Sequence, residues 1–273
     1  MENTKIPILM YHEISKKIEE KSSSHEMTPF YNISADAFES QMQLLHQMGY
    51  KSLFFDEVSM ANQKSDKYVI ITFDDGLIGN YEHAYPILNK YGFKAVFFVS
   101  VGSIGKQRYM SLVELEDMVA HGMSVQSHTV SHVPLQDLKD ERVYWELDES
   151  KRYVESKLNI YVTALSFPHG SFNSSVIKIA KKIGYKFFCT SEVMRTYKSN
   201  FLKTPAILGR ITMTSNMDVN KFVRNVEYHS CEVLKQKMIK SSKNTVKRIV
   251  GIEGYRRMYR KYLKINSPDI NTQ

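Results

Sequence analysis

Residues 68–76, Tyr-Val-Ile-Ile-Thr-Phe-Asp-Asp-Gly, constrain this chain more than any other stretch. An apolar, β-branched run of this length reads as a strand buried on both faces, the kind found in parallel sheets covered by helices. Gly76 is a natural stop for it. Two adjacent carboxylates, Asp74 and Asp75, follow at the carboxyl end, where α/β architectures place their chemistry. Side chains alternate along extended backbone, so the two leave in different directions and are available for different tasks. On this stretch alone an Asp-Asp-Gly turn is an equally good reading. The rest of the chain has to supply partners for the carboxylates.

Strand and helix patterns alternate on both sides of this run. Strands are predicted over residues 6–11, 51–55, 68–73, 95–99, 124–127, 164–167, 187–190 and 207–212. Helices are predicted over 35–48, 56–62 (a short one), 81–91, 112–121, 140–158 and 174–183. The first is signalled by Ser34 as its cap, by Phe38, Met42, Leu45 and Met48 at helical spacing, and by Gly49 as its stop. Residues 15–32, rich in Lys, Glu and Ser, read as an exposed loop. A loop carrying polar residues follows nearly every strand. This alternation predicts a parallel sheet with covering helices, closed into a barrel.

The net charge of +8 is not spread evenly. Residues 235–264 carry 11 Lys/Arg against the single acid Glu253, whereas the first 234 residues hold 26 basic and 27 acidic side chains. The expected division is therefore a barrel over 1–234 and a basic helical C-terminal tail over 235–273. Val246, Ile249, Val250, Tyr255, Met258, Tyr259, Tyr262 and Leu263 recur in the tail at helical spacing, with Gly251 and Gly254 interrupting and Lys and Arg between. Such a pattern suits an anionic membrane surface, or equally a helix packed on the barrel with a solvated basic face. No motif supports nucleic-acid binding. The N-terminus lacks a basic region followed by a long apolar one, and no run of 18 apolar residues exists. Cys189 and Cys231 make no disulfide framework. The expected location is cytoplasmic, with peripheral contact to the inner face of the membrane.

A second constellation gives the carboxylates their partners. Ser127-His128-Thr129-Val130-Ser131-His132 sets two imidazoles four residues apart after a predicted strand. On a helical turn or compact loop that spacing brings both rings to one side, as zinc and similar ions require. A polar loop with two exposed histidines is the competing reading. Asp75 also follows a strand, so the three groups can meet at one barrel mouth. A set of two histidines and a carboxylate leaves open positions for water and substrate.

Thr72-Phe73-Asp74-Asp75-Gly76, the hexapeptide ending in His132, and Phe167-Pro168-His169-Gly170 follow in order the first three motifs of NodB-type polysaccharide deacetylases, carbohydrate esterase family 4. The resemblance covers roughly residues 5–215. It implies a distorted (β/α)-barrel that removes N-acetyl groups from amino sugars with a divalent metal, Zn2+ first and Co2+, Ni2+ or Mn2+ as alternatives. It further implies that Asp75, His128 and His132 bind the metal and that Asp74 is the general base toward water activated by it. Pro168, His169 and Gly170 would form the substrate groove, with the His169 backbone N–H helping to hold the oxyanion.

Three departures follow from the same resemblance. The family's third motif usually has Arg two residues before the Pro, where this chain has Ser166; Arg210 is the candidate to orient the base in its place, a structural arginine being the alternative. The fourth motif has no counterpart around Phe188-Cys189-Thr190. The fifth, usually Leu-x-His, is also absent, and with it the usual general acid. The branch acting on poly-N-acetylglucosamine carries an early Tyr-His-x-Ile motif, matched here by Tyr11-His12-Glu13-Ile14. In a closed barrel the first strand neighbours the last, so His12 is the expected general acid, with His169 as the second candidate and a buried structural histidine as the competing reading. The function expected is deacetylation of an N-acetylated amino sugar in a surface polysaccharide or its lipid-linked precursor. Hydrolysis of a small non-sugar amide on the same barrel and a catalytically silent glycan-binding role are the alternatives.

Overall fold

A computed structural model of the protein describes residues 4–16, 29–60, 66–192 and 194–228. The expected boundary at residue 234 and the basic tail lie outside the described residues, as do His25 and His229, two histidines that the sequence gives no motif partner and that read as surface or structural.

Eleven strands are named in chain order among the described residues: β1 (Ile8–Tyr11), β2 (Glu13–Ser15), β3 (Asn32–Ser34), β4 (Tyr50–Ser52), β5 (Lys67–Phe73), β6 (Val96–Val99), β7 (Ser124–Ser127), β8 (Ala164–Ser166), β9 (Phe187–Cys189), β10 (Ala206–Leu208) and β11 (Ile211–Thr212). The main sheet runs β10-β9-β8-β7-β6-β5-β1-β11, with β4 paired to the first half of β5. Its pairings are parallel throughout. The helices are α1 (Ala35–Gln47), α2 (Tyr85–Lys90), α3 (Leu112–Ala120), α4 (Asp140–Leu158), α5 (Ser174–Ile183), α6 (Lys198–Phe201) and α7 (Val219–Val226). This is the (β/α)-barrel architecture, with a sheet curled until its two edge strands are consecutive in sequence.

That closure corrects one expectation. Residues 207–212 do not form a single strand: β10 pairs with β9 at one edge, β11 pairs with β1 at the other, and Gly209-Arg210 joins them. The ring is completed there by covalent chain, not by a ladder. Gly209 is required at this point because a Cβ would meet the Glu192 carbonyl oxygen at 2.6 Å and Met194 Cβ at 2.5 Å.

Smaller differences have local causes. The loop expected over 15–32 has ordered ends, since β2 and β3 pair with each other; residues 17–28 are outside the description. The strand expected at 51–55 stops at Ser52, and only a single turn of 3₁₀ helix, Glu57–Ser59, follows in place of a short helix. There the Glu57 carboxylate accepts from the Phe54 N–H at 2.7 Å, which ends the extended run. The helix expected at 81–91 opens as a π-turn, Asn80–Ala84, before α2. Helices α6 and α7, the latter capped by Asp218, form where the sequence pattern predicts none. For α1 the signals hold: Ser34 accepts from the Ala37 N–H, and Phe38, Met42 and Leu45 are fully buried.

Alternation along the strands makes two cores. Ile8, Ile70, Val96, Phe98, Ala164, Cys189 and Leu208 pack as one cluster inside the curl. The residues of opposite parity lie under the helices, where Tyr11, Phe73 and Phe97 stack at 5.3 and 4.8 Å and Phe38 of α1 meets Tyr11 edge-on at 5.0 Å. Burying a large aromatic or branched side chain contributes about 1.5–3 kcal/mol, so these layers hold the strand ends rigidly in place. Among the described residues no helix is long and apolar enough to cross a membrane.

Candidate active site

The groups singled out in the sequence gather where the strands end. The Asp74 N–H donates to the Tyr11 carbonyl at 3.0 Å, which extends the β1–β5 ladder one step past β5. The backbone then turns sharply, with left-handed φ at Asp75 (74°) and Gly76 (76°). A non-glycine residue there is uncommon, and its occurrence at a functional turn stores local strain. After β7, the His128 N–H donates to the Val99 carbonyl at 2.9 Å, and Thr129 (φ 69°) and His132 (φ 55°) are left-handed. The four-residue spacing therefore works through a compact loop and not through a helical turn.

This brings three ligand atoms together. Asp75 Oδ1 lies 3.3 Å from His128 Nε2 and 3.1 Å from His132 Nε2. All three atoms are within 4.8 Å of one another. The Nδ1 of buried His128 is 2.8 Å from the Ser166 carbonyl, which can only accept, so Nδ1 carries the proton and Nε2 presents a lone pair to the cluster. Two imidazole nitrogens and a carboxylate oxygen form a donor set suited to zinc and related divalent ions. The residues present thus fit the metal that the sequence resemblance implies.

Asp74 is held differently. It is buried, and Arg210 grips it with both arms: NH1 donates to Oδ1 and NH2 to Oδ2, each at 2.7 Å. The Ser166 hydroxyl donates to Oδ2 at 3.0 Å and accepts from Arg210 NH2 at 2.8 Å. Arg210 is itself buried, and it also donates to the Thr72 hydroxyl and the Thr190 carbonyl, both at 3.2 Å. Burial by itself would raise the Asp74 pKa; the guanidinium foremost, together with His128 and His12, offsets this and holds the carboxyl below its usual value. Burial works the other way on Arg210, and Asp74 raises its pKa, so both stay charged. Ser166, at the place of the family's usual arginine, thus bridges the carboxylate and the guanidinium that reaches it from the β10–β11 junction.

His12 follows β1 and is half-buried, its ring tilted 31° against Tyr31 at 4.8 Å. Its Nδ1 is buried without a hydrogen-bond partner. Burial lowers the His12 pKa, against the opposing charges of Asp75 and Asp74. In the turn Pro168–Gly170, His169 is exposed with φ 57°, and its ring meets that of His132 edge-on at 4.7 Å. Pro168 is buried beneath it, and a Cβ on Gly170 would collide with the Ser191 hydroxyl. His46, His83 and His121 take part in other contacts, with Tyr91, Glu82 and Asp117 respectively. The hydroxyls of Thr72 and Ser166 were not picked out in advance as polar partners. Their inward strand parity, shared with Arg210, was the available signal.

Comparison with known proteins agrees with this geometry. The polysaccharide deacetylase family model matches residues 61–188. YxkH of Bacillus subtilis is 36% identical over 192 residues, 69% of this chain and 65% of that relative, so the match spans just under two thirds of its length. The poly-beta-1,6-N-acetyl-D-glucosamine N-deacetylase of Staphylococcus aureus is 28% identical over 205 residues, covering 68% of this chain and 70% of that protein. Among solved structures, the Streptococcus pyogenes deacetylase PplD in complex with acetate superposes with a TM-score of 0.73 at 30% identity, covering 82% of this chain and 99% of that one. The chain belongs to the polysaccharide deacetylase family.

Proposed function

We propose that this chain is a metal-dependent N-deacetylase acting on an N-acetylated amino sugar of a surface polysaccharide or its lipid-linked precursor. The observation that carries this reading is a buried carboxylate kept ionised by Arg210 immediately next in sequence to the Asp75–His128–His132 donor set. In this reading Asp75, His128 and His132 hold a divalent ion, Zn2+ before Co2+, Ni2+ or Mn2+. When bound, such an ion supplies Lewis acidity toward the amide carbonyl and toward water.

The chain's own residues supply the proton transfers. Asp74 accepts the proton of the attacking water as general base, with its orientation fixed by Arg210 and Ser166. Its Oδ1, bonded only to Arg210 NH1, keeps a lone pair for that proton, whereas Oδ2 is occupied by Arg210 NH2 and the Ser166 hydroxyl. His12 donates to the leaving amine; burial lowers its pKa, and the charges of Asp75 and Asp74 offset that only in part. His169 is the second candidate for that proton. Pro168, His169 and Gly170 wall the site on the β8 side, and the His169 backbone N–H serves the oxyanion.

Two observations favour a glycan over a small amide. One relative is named for poly-beta-1,6-N-acetyl-D-glucosamine, and Tyr11-His12-Glu13-Ile14 matches the early motif of that branch. The basic pattern of residues 235–264 supports contact with an anionic membrane from the cytoplasmic side; co-sedimentation with anionic vesicles should fall when the chain is cut at residue 234. The deciding experiment is acetate release from β-1,6- and β-1,4-linked N-acetylglucosamine oligomers and from simple amides, with chelator and metal add-back. Chelator-sensitive release from an oligomer is expected. Release from simple amides alone overturns the glycan reading, and release from none overturns the enzyme reading.

A further inference from the structure

Helix α4 carries a charged residue that the proposed reaction does not use. Glu146 is fully buried, and its carboxylate turns toward the loop between β7 and α4. Oε2 accepts from two successive backbone donors, the Val130 and Ser131 N–H groups, each at 2.9 Å. Oε1 accepts from the Ser131 hydroxyl and from Arg142 NH2, the latter at 2.9 Å. The three donors from Val130 and Ser131 lie between His128 and His132, the two imidazole ligands of the proposed metal site.

The rest of that loop is tied on its other side. The carbonyls of Thr129 and Val130 accept from the Val101 and Gly102 N–H groups at 3.1 and 3.0 Å, and the Thr129 hydroxyl accepts from the His132 N–H at 3.2 Å. With Thr129 and His132 left-handed, the intervening Val130 and Ser131 N–H groups bond to Glu146 and not to a neighbouring strand. A buried N–H without an acceptor costs about 1–3 kcal/mol, so this conformation needs an acceptor delivered from outside the loop. Glu146 is that acceptor. A carboxylate offers about four lone-pair sites, which matches the four donors converging on it. Arg142, half-exposed and stacked at 4.0 Å on Trp145, balances its charge.

We infer that Glu146 is a positioning residue for the metal site: it holds the His128–His132 loop in the one conformation that directs both Nε2 atoms toward Asp75. This inference rests on the metal reading above and extends it to a residue that touches neither metal nor substrate. Outer partners that orient ligating imidazoles typically account for about 10–100-fold in metal affinity. Glu146→Gln keeps the side-chain shape and one oxygen acceptor but turns an NH₂ toward Arg142, so donor faces donor.

The test is titration of the metal-free full-length chain with Zn2+ by calorimetry and with Co2+ by its visible absorption, alongside thermal melts. Glu146→Gln should bind both ions about 10–100-fold more weakly than wild type and show an altered Co2+ spectrum. Val154→Ala, which removes buried apolar contact from the same helix, is the comparator for stability loss alone, and Ser131→Ala, removing one donor, should give an intermediate loss of affinity. Wild-type affinity and spectrum in Glu146→Gln overturn the inference, as does an equal loss of affinity in Val154→Ala at matched melting temperature. Metal binding is read without turnover, so a chain that binds Zn2+ but releases no acetate sinks the deacetylase reading and leaves the positioning role standing. Wild type that takes up neither ion overturns both.

Discussion

Replacing Arg210 by Met should destabilise the protein more than almost any other single change near the site. The guanidinium makes five hydrogen bonds with buried partners, and two of them, at 2.7 Å, neutralise Asp74. Removing one partner of a buried ion pair leaves the other charge uncompensated and costs about 3–5 kcal/mol. In a domain of this size about 1 kcal/mol corresponds to ~2–4 °C in melting temperature. The expected loss is therefore about 6–20 °C, measured by calorimetry on metal-free protein so that lost metal does not contribute. The cause can be isolated with a second substitution. Asp74→Asn in the Arg210→Met background removes the orphaned charge, so the double variant should recover part of the loss, and the two effects should be far from additive. Arg210→Lys keeps the charge without the two-armed geometry and should fall between wild type and Met. A Met variant melting within 2 °C of wild type, or a double variant showing the simple sum of the two single losses, would refute the claim that the pair is one electrostatic unit (thresholds on the order of the measurement scatter).

The remaining expectations concern single groups. Asp74→Asn should retain metal stoichiometry while acetate release falls by about 10²–10⁴-fold, the usual range for a general base; loss of the metal instead would mean that the roles of Asp74 and Asp75 are exchanged. His12→Gln should slow release at unchanged metal content, and wild-type turnover in that variant would remove His12 as proton donor. Gly209→Ala forces a Cβ against the Glu192 carbonyl oxygen at 2.6 Å, so a loss of about 1–3 kcal/mol is expected in urea unfolding. Cys189 is fully buried, and burial pushes its thiol up to about 12. In a Cys231→Ser background no thiol should react with Ellman's reagent at pH 8 until the protein is unfolded. The same raised value means that Cys189 favours the folded state fully below the unfolded pKa of about 8.5, and that this contribution is lost as pH rises toward 12.

Much of this molecule is determined locally and so can be read from the chain alone. The apolar, β-branched run at 68–73 reads as a buried parallel strand, which puts Asp74-Asp75-Gly76 at its carboxyl end. Ser34 and the spacing of Phe38, Met42 and Leu45 specify α1 without help from the rest of the fold. The metal-ligand candidates were visible because their chemistry is restrictive: few residue types bind zinc, and three of them follow predicted strands. What the sequence could not settle depends on distance in the chain. Arg210 is 136 residues from Asp74, and its strand parity says only that it faces inward, not which group it meets; it meets the carboxylate because β10 and β11 close the two edges of the sheet around it. The same holds for Ser166, 92 residues from Asp74, and for Glu146, whose helical pattern says only that it faces inward. Periodicity identifies a residue's face and motif chemistry its type, but the pairing of groups across a barrel is fixed by strand register and ring closure. Those are properties of the assembled sheet.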